Sequence, residues 1–394
     1  MPPRTIVASS LVASLVAVAL AACSGGGSGS PRAGSNGASS GESAGAGADA
    51  GAGASAGAGA GASASAGTAA GSGGTSSSPG ASGSTSPVPT TDAGASSSVE
   101  GGGPTVGQLY WLAIVGNQVM TSTPSGSNAR ALVSGQGISA PDGIAVDVAG
   151  GKVYWTNMGT LTDSPHTPNG SLQRANLDGS QVEVLLQPGA TTNTPKQLQL
   201  DAAHGKIYWS DREGAKAWRA NLDGSQAEVI LSGHSIQQLV GIALDVPGGK
   251  FYVTDRYAKT ILRAALVMPS GQDASSRTDV ETLLAATGSA VPVDLDLDLQ
   301  KRAMYWTDRG TGMIHRAAMD LPSGQTGANR TDVVTLVSGL STPIGISLDL
   351  ADGVMFFTQL GGIISQANLD GTRVKTIGMS SGASGIAHVL VPAH

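Results

Sequence analysis

Three places in this 394-residue chain set an arginine directly after an acid and an aromatic segment: Asp211-Arg212-Glu213, Asp255-Arg256-Tyr257 and Asp308-Arg309. Each follows the same kind of run, Tyr208-Trp209-Ser210, Tyr252-Val253-Thr254 and Tyr305-Trp306-Thr307. A guanidinium is a rigid fork that suits carboxylates, and Arg and Tyr are enriched where proteins grip partners. The plainer reading pairs each arginine with a nearby aspartate in a rim network of small energetic value. A second cluster is Asp294-Leu295-Asp296-Leu297-Asp298. Alternation with period two places the carboxylates on one side of an extended strand, where a hard cation such as calcium would accept their oxygens. Nucleophilic chemistry has less support. His166, His204, His234, His315, His388 and His394 are scattered, no serine stands in an elbow motif, and no glycine-rich phosphate loop opens a helix.

The elements that must position these residues are repeats. An aspartate stands seven residues before an aromatic five times: Asp147 and Tyr154, Asp201 and Tyr208, Asp245 and Tyr252, Asp298 and Tyr305, Asp349 and Phe356. The units recur every 44 to 54 residues, a period of propellers or solenoids. Within the third unit, Leu239 to Asp245 reads as a strand, Val246-Pro247-Gly248-Gly249 as a turn, and Lys250 to Thr254 as the next strand. Ile261 to Ala264 and Val280 to Leu284 supply two more, which makes one four-stranded blade.

The third and fourth strands are joined by a repeated turn, Asn176-Leu177-Asp178-Gly179, Asn221-Leu222-Asp223-Gly224 and Asn368-Leu369-Asp370-Gly371. Asp-Gly suits a tight hairpin because glycine reaches positive φ without a steric penalty. Two units expand it around Pro269-Ser270-Gly271-Gln272 and Pro322-Ser323-Gly324-Gln325. A partial unit, Gly107-Gln108-Leu109-Tyr110-Trp111, opens the array without its aspartate strand, and Ser384-Gly385-Ile386-Ala387 supplies that strand at the other end. The expectation is an all-β, six-bladed propeller closed by the C-terminal strand, leaving no exposed sheet edge.

Tyr305-Trp306-Thr307-Asp308 is complete, 154–157 and 208–211 are nearly so, and 252–255 and 356–359 are frayed. On these motifs and the Leu-Asp-Gly turns, residues 105–394 resemble the YWTD repeats of the low-density-lipoprotein receptor family. The resemblance implies six blades, aromatics packed between blades, and Thr and Asp side chains satisfying backbone groups near the turns. It also implies that partners dock on the face built by loops after the aromatic strand. That face would receive Arg212, Arg256, Tyr257 and Arg309, and the long loop from Met158 to Ser171 with His166 would interrupt its symmetry. Lactonases and related hydrolases share six-bladed propellers and hold a metal through Glu, Asn and Asp from several blades. Here Asp294 and Asp296 replace the small residues of sister blades, but two extra carboxylates are too few for a cage. Solvated channel carboxylates are the preferred reading, with no cofactor expected.

The rest of the chain gives an address. Arg4, the apolar run Ile6 to Leu20 and Leu20-Ala21-Ala22-Cys23 resemble a bacterial lipoprotein signal. The resemblance implies a signal peptide over 1–22, lipid attachment at Cys23 and export to the cell envelope. Ser24, not Asp, follows, which favours the outer membrane in a two-membrane source. Residues 23–104 are Ala-, Gly- and Ser-rich and read as a disordered tether with a span near ~50 Å. Cys23 is the only cysteine, so the propeller holds neither disulfide nor cysteine-ligated zinc. With a net charge of −6 and no basic run, nucleic-acid binding is not expected. The sequence therefore reads as a tethered, monomeric, non-catalytic domain that captures a protein or glycan at the envelope. A propeller hydrolase with a metal near Asp294 and Asp296, or a passive assembly component, are the alternatives.

Overall fold

A computed structural model describes residues 104–160 and 168–393. The signal segment, Cys23, the tether up to residue 103, His166 and His394 lie outside the described residues. The sheet is built six times over as four antiparallel strands. β1 (Thr105–Ala113), β2 (Gln118–Ser122) and β3 (Arg130–Ser134) open blade one; β4 (Pro141–Asp147), β5 (Lys152–Asn157), β6 (Ser171–Asn176) and β7 (Glu183–Leu186) form blade two. Blade three is β8 (Pro195–Asp201), β9 (Lys206–Asp211), β10 (Lys216–Asn221) and β11 (Glu228–Leu231). Blade four is β12 (Leu239–Asp245), β13 (Lys250–Asp255), β14 (Thr260–Ala265) and β15 (Glu281–Ala285). Blade five is β16 (Pro292–Asp298), β17 (Ala303–Asp308), β18 (Met313–Ala318) and β19 (Val334–Val337). Blade six is β20 (Pro343–Asp349), β21 (Val354–Gln359), β22 (Ile363–Asn368) and β23 (Lys375–Met379). The last strand, β24 (Ala383–Pro392), returns to pair with β1 and completes blade one, as the split unit predicts.

The fixed interval in the sequence has a local cause. Each repeat aspartate ends an inner strand and its carboxylate caps the following turn. Asp147 accepts the amide of Gly150 at 2.8 Å, Asp245 that of Gly248 at 2.8 Å and Asp298 that of Lys301 at 2.9 Å. The hairpin length cannot drift without uncapping that turn.

The core lies between blades. Trp155 and Trp209 are 0% exposed and Trp306 2%. Tyr252 of blade four packs with Leu295, Met304 and Trp306 of blade five. The motif threonines correct the expectation that they serve the turns: they sit between inner strands. Thr156 accepts the amide of Gly143 in its own blade at 2.8 Å and donates to the carbonyl of Lys196 in the next at 2.7 Å. Thr254 and Thr307 repeat the bond, to Val293 and Ile344 at 2.5 and 2.6 Å.

The outer rim is locked differently. Gly179 has φ +86°, and a Cβ there would lie 2.3 Å from the carbonyl oxygen of Leu132 on blade one. Only glycine lets the turn dock so closely. Where the turn is expanded, an arginine takes over. Arg277, 1% exposed, donates to the carbonyls of Ile230 in blade three and Ala265 in its own blade at 2.6 and 2.7 Å, and pairs with Asp279 at 2.7 Å. Arg330 makes the same bonds to Leu283, Ala318 and Asp332.

Candidate binding face and channel

The motif aspartates bridge two loops on one face. Asp255 accepts the amides of Gln237 and Gln238 from the preceding connection at 2.6 and 3.2 Å, and those of Tyr257 and Ala258 from the turn at 3.0 and 2.9 Å. Asp308 does the same with Val291, Gly310 and Thr311. Asp211 takes Asn193, Thr194 and Gly214. These carboxylates hold the loops in place, and so fix the residues that follow them.

The residue after each motif occupies one equivalent site per blade. The backbone amides of Met158, Arg212, Arg256, Arg309 and Leu360 each donate to the connection before their own inner strand, at 3.0–3.1 Å for four of them and 2.9 Å for Arg309. The arginines therefore stand on three consecutive blades, three to five. The other half of the circle carries Leu360, Ile114 and Met158, which cluster with Val240, Val293 and Ile344 at the starts of the inner strands. The residue after the motif is thus arginine on blades three to five and apolar on blades six, one and two.

The three arginines are not alike. Arg212 is 1% exposed and its Nε pairs with Glu213. Burial alone would raise the Glu213 carboxyl, yet Arg212 beside it, with Lys196, holds it below its ordinary value. Arg256 and Arg309 are half-buried and, with Tyr257, Lys259, Val291, Gly310 and Thr342, line an open cleft of about 610 Å³ between blades four and five. Tyr257 is 51% exposed. The structure thus brings Arg256, Tyr257 and Arg309 together and sets Arg212 apart. Lys259, missed in the sequence, joins them; its position two residues past Tyr257 in the same turn was the available signal.

Asp294 and Asp296 are placed otherwise than the sequence suggests. Asp294 is 6% exposed, and its two oxygens accept the amides of Leu295 at 2.9 Å and of Ile346 in blade six at 3.1 Å. Asp296 accepts Leu297 at 2.8 Å and Leu348 at 2.9 Å. They stitch the adjacent inner strands β16 and β20 together along the channel wall, where solvated carboxylates were expected. Burial pushes both carboxyls up, Asp296 to about 6. Asp298 caps its turn instead of joining them. Among the described residues no group of three or more His, Cys, Asp or Glu side chains is disposed to hold a metal ion. Nearer the apolar cluster, Asp142 and Lys196 form a buried ion pair at 2.9 Å. A smaller space of about 220 Å³ at the opposite end of the channel is lined by Asp296, Gln199, Ser347 and His388 among others.

Six closed blades, an aromatic-Thr-Asp seam and a face of matched loops define the YWTD-repeat class of propeller, the class found in low-density-lipoprotein receptors. The chain is 35% identical over 290 residues to low-density lipoprotein receptor-related protein 1 of Pyricularia oryzae, covering 69% of this chain and 92% of that protein. It therefore belongs to that family. It is also 32% identical to the 3-hydroxyacyl-CoA dehydrogenase-like protein LAM1 of Cochliobolus heterostrophus, over 59% of this chain and 52% of that protein, about half its length. No family model matches the chain. Among solved structures, a chain of the nidogen/laminin complex shares the fold at a TM-score of 0.56 and 18% identity, with 73% of this chain and 100% of that one covered.

Proposed function

We propose that this protein is a non-catalytic, exported binding protein that uses the loop face of its propeller to capture a protein or glycan partner. The observation that carries the reading is the cleft between blades four and five. It is open, its Arg and Tyr side chains are of the types enriched at binding hot spots, and it sits on loops fixed by Asp255 and Asp308. The fold neighbour from a complex of nidogen with laminin supports a protein as the partner class. Asp294 and Asp296 already accept two backbone bonds each, which speaks for structure over metal-assisted hydrolysis.

In this reading Cys23 carries the lipid, residues 23–104 are the tether, and the propeller is held as a monomer at the cell envelope, on the outer membrane where the source has two. Two measurements test it. Cross-linking on intact cells should enrich a partner with the wild-type chain and not with the R256A/Y257A/R309A chain. Metabolic labelling with a fatty-acid probe should mark the wild-type chain and not C23S; labelling of both would remove the anchor from the reading.

A further inference from the structure

We infer that the channel, at the end away from the apolar cluster, binds a small primary amine that carries a second polar group close to its nitrogen. Each inner strand sets one residue beside the first aromatic of its blade. These are Ala387 opposite Tyr110, Ala145 opposite Tyr154 and Gln199 opposite Tyr208, then Ala243 opposite Tyr252, Asp296 opposite Tyr305 and Ser347 opposite Phe356. Alanine holds the position on blades one, two and four. Blades three, five and six depart from it, each with a polar side chain, and all three residues line the same space of about 220 Å³. Three departures from one repeat therefore converge on one cavity. It shares no lining residue with the cleft between blades four and five, and the inference does not rest on the capture reading.

Each of the three groups keeps bonding capacity. Asp296 accepts the amides of Leu297 and Leu348, one on each oxygen, and a carboxylate has about four acceptor sites. Ser347 accepts the amide of His388 at 3.0 Å and keeps its own proton to donate. Gln199 is half-buried, and its side chain makes no hydrogen bond among the described residues. Asp296 is the one carboxylate lining the space, and no lysine or arginine lines it among the described residues. Burial raises its carboxyl to about 6, as befits a charge without a counterion. Calcium takes about six to eight oxygen ligands, whereas one carboxylate with an amide and a hydroxyl suits an ammonium donating three bonds. The volume falls below the roughly 300–1,000 Å³ of drug-sized pockets, which sets the ligand at a few heavy atoms. A lysine side chain would bring a run of methylenes among these polar groups, so a free solute with amine and hydroxyl close together fits better.

The test is isothermal titration calorimetry of the full chain with ethanolamine. Saturable binding is expected at pH 7.5, with D296N weakening it at least tenfold and Q199A at least threefold. E228Q, which removes an equal charge from the exposed rim of blade three, should leave it within twofold. At pH 4.5 affinity should fall at least tenfold as Asp296 takes up a proton. His388, which lines the space, and Asp294 on the same strand are the other titratable groups near it, and a charged His388 would act in the same direction. Ethylene glycol, matched in size but uncharged, should not bind. Absence of saturable ethanolamine binding, binding untouched by D296N and Q199A, or equal binding of ethylene glycol would each overturn the inference. Calcium binding that D296N removes, with no binding of ethanolamine, would overturn it in favour of a metal. Tighter binding of N-acetyl-lysine amide than of ethanolamine would overturn it in favour of a partner's lysine side chain.

Discussion

Ser384 donates its hydroxyl to the carbonyl of Pro141 at 3.0 Å, although 243 positions separate them in the chain. The bond joins the inner strand that completes blade one to the inner strand of blade two. It fills the place that Thr156 and its counterparts occupy at other seams, through a different residue, because β1 carries Leu112, which has no hydroxyl, at the position of Thr156 in β5.

Closure should therefore be a measurable share of stability. S384A removes one buried hydrogen bond worth about 1 kcal/mol and should lower the melting temperature by roughly 2–4 °C. Deleting residues 383–393 uncovers the edge of β1 and should abolish the cooperative transition. A truncated chain that melts like the whole one would show that β24 is dispensable.

Two classes of arginine should separate on a melting curve. R277A or R330A takes out a guanidinium buried against two backbone carbonyls and a carboxylate, and should cost about 2–4 kcal/mol. R309A, half-buried at the cleft, should cost less than about 1 kcal/mol. Equal losses would contradict the division.

The binding face can be probed without disturbing the fold. R256A/Y257A/R309A should weaken partner capture with little change in melting, as the cleft lies on loops held by other groups. R212A should behave in the reverse way: it leaves Glu213 with a missing partner in a buried setting and should lower stability. Differential scanning fluorimetry beside a pull-down distinguishes the two.

Acid should act on the channel in a defined direction. The Asp296 carboxyl is raised by burial to about 6, above its ordinary value near 3.9. Its contribution is full below pH ~4 and is lost as pH rises through about 6. His388 runs the other way: burial lowers its pKa, so its stabilising neutral form is lost as pH falls. The melting difference between wild type and D296A should accordingly shift in favour of the variant between pH 4 and pH 7.5, and a difference independent of pH would reject this account.

The blades were legible because an aspartate capping its own turn fixes an interval that survives in the sequence. In blade four, β12 matches the expected Leu239–Asp245, and β15 begins at Glu281, one residue from the expectation. Bonds between blades were not legible. The threonine hydroxyls reach a carbonyl roughly a repeat away in sequence, and nothing around Thr156 indicates Lys196 as the acceptor. The roles of Arg277 and Arg330 were not legible either: Arg-Thr-Asp at 277–279 and 330–332 shows the local ion pair, but the carbonyls of Ile230 and Leu283 that they reach lie 47 positions away. Arg212 looked equivalent to Arg256 by position. Its environment differs because an acid, Glu213, follows it where Tyr257 and Gly310 follow the others.

The pairing of β24 with β1 also sets a timetable. During synthesis the first three strands of blade one are made long before their fourth, so they wait, half-assembled, while five other blades emerge. A nascent chain in that state presents the unpaired edge of β1, which can recruit any extended neighbour in place of its own tail. The protein's most exposed moment falls before its last residues are joined, and chaperone demand during synthesis should track that interval.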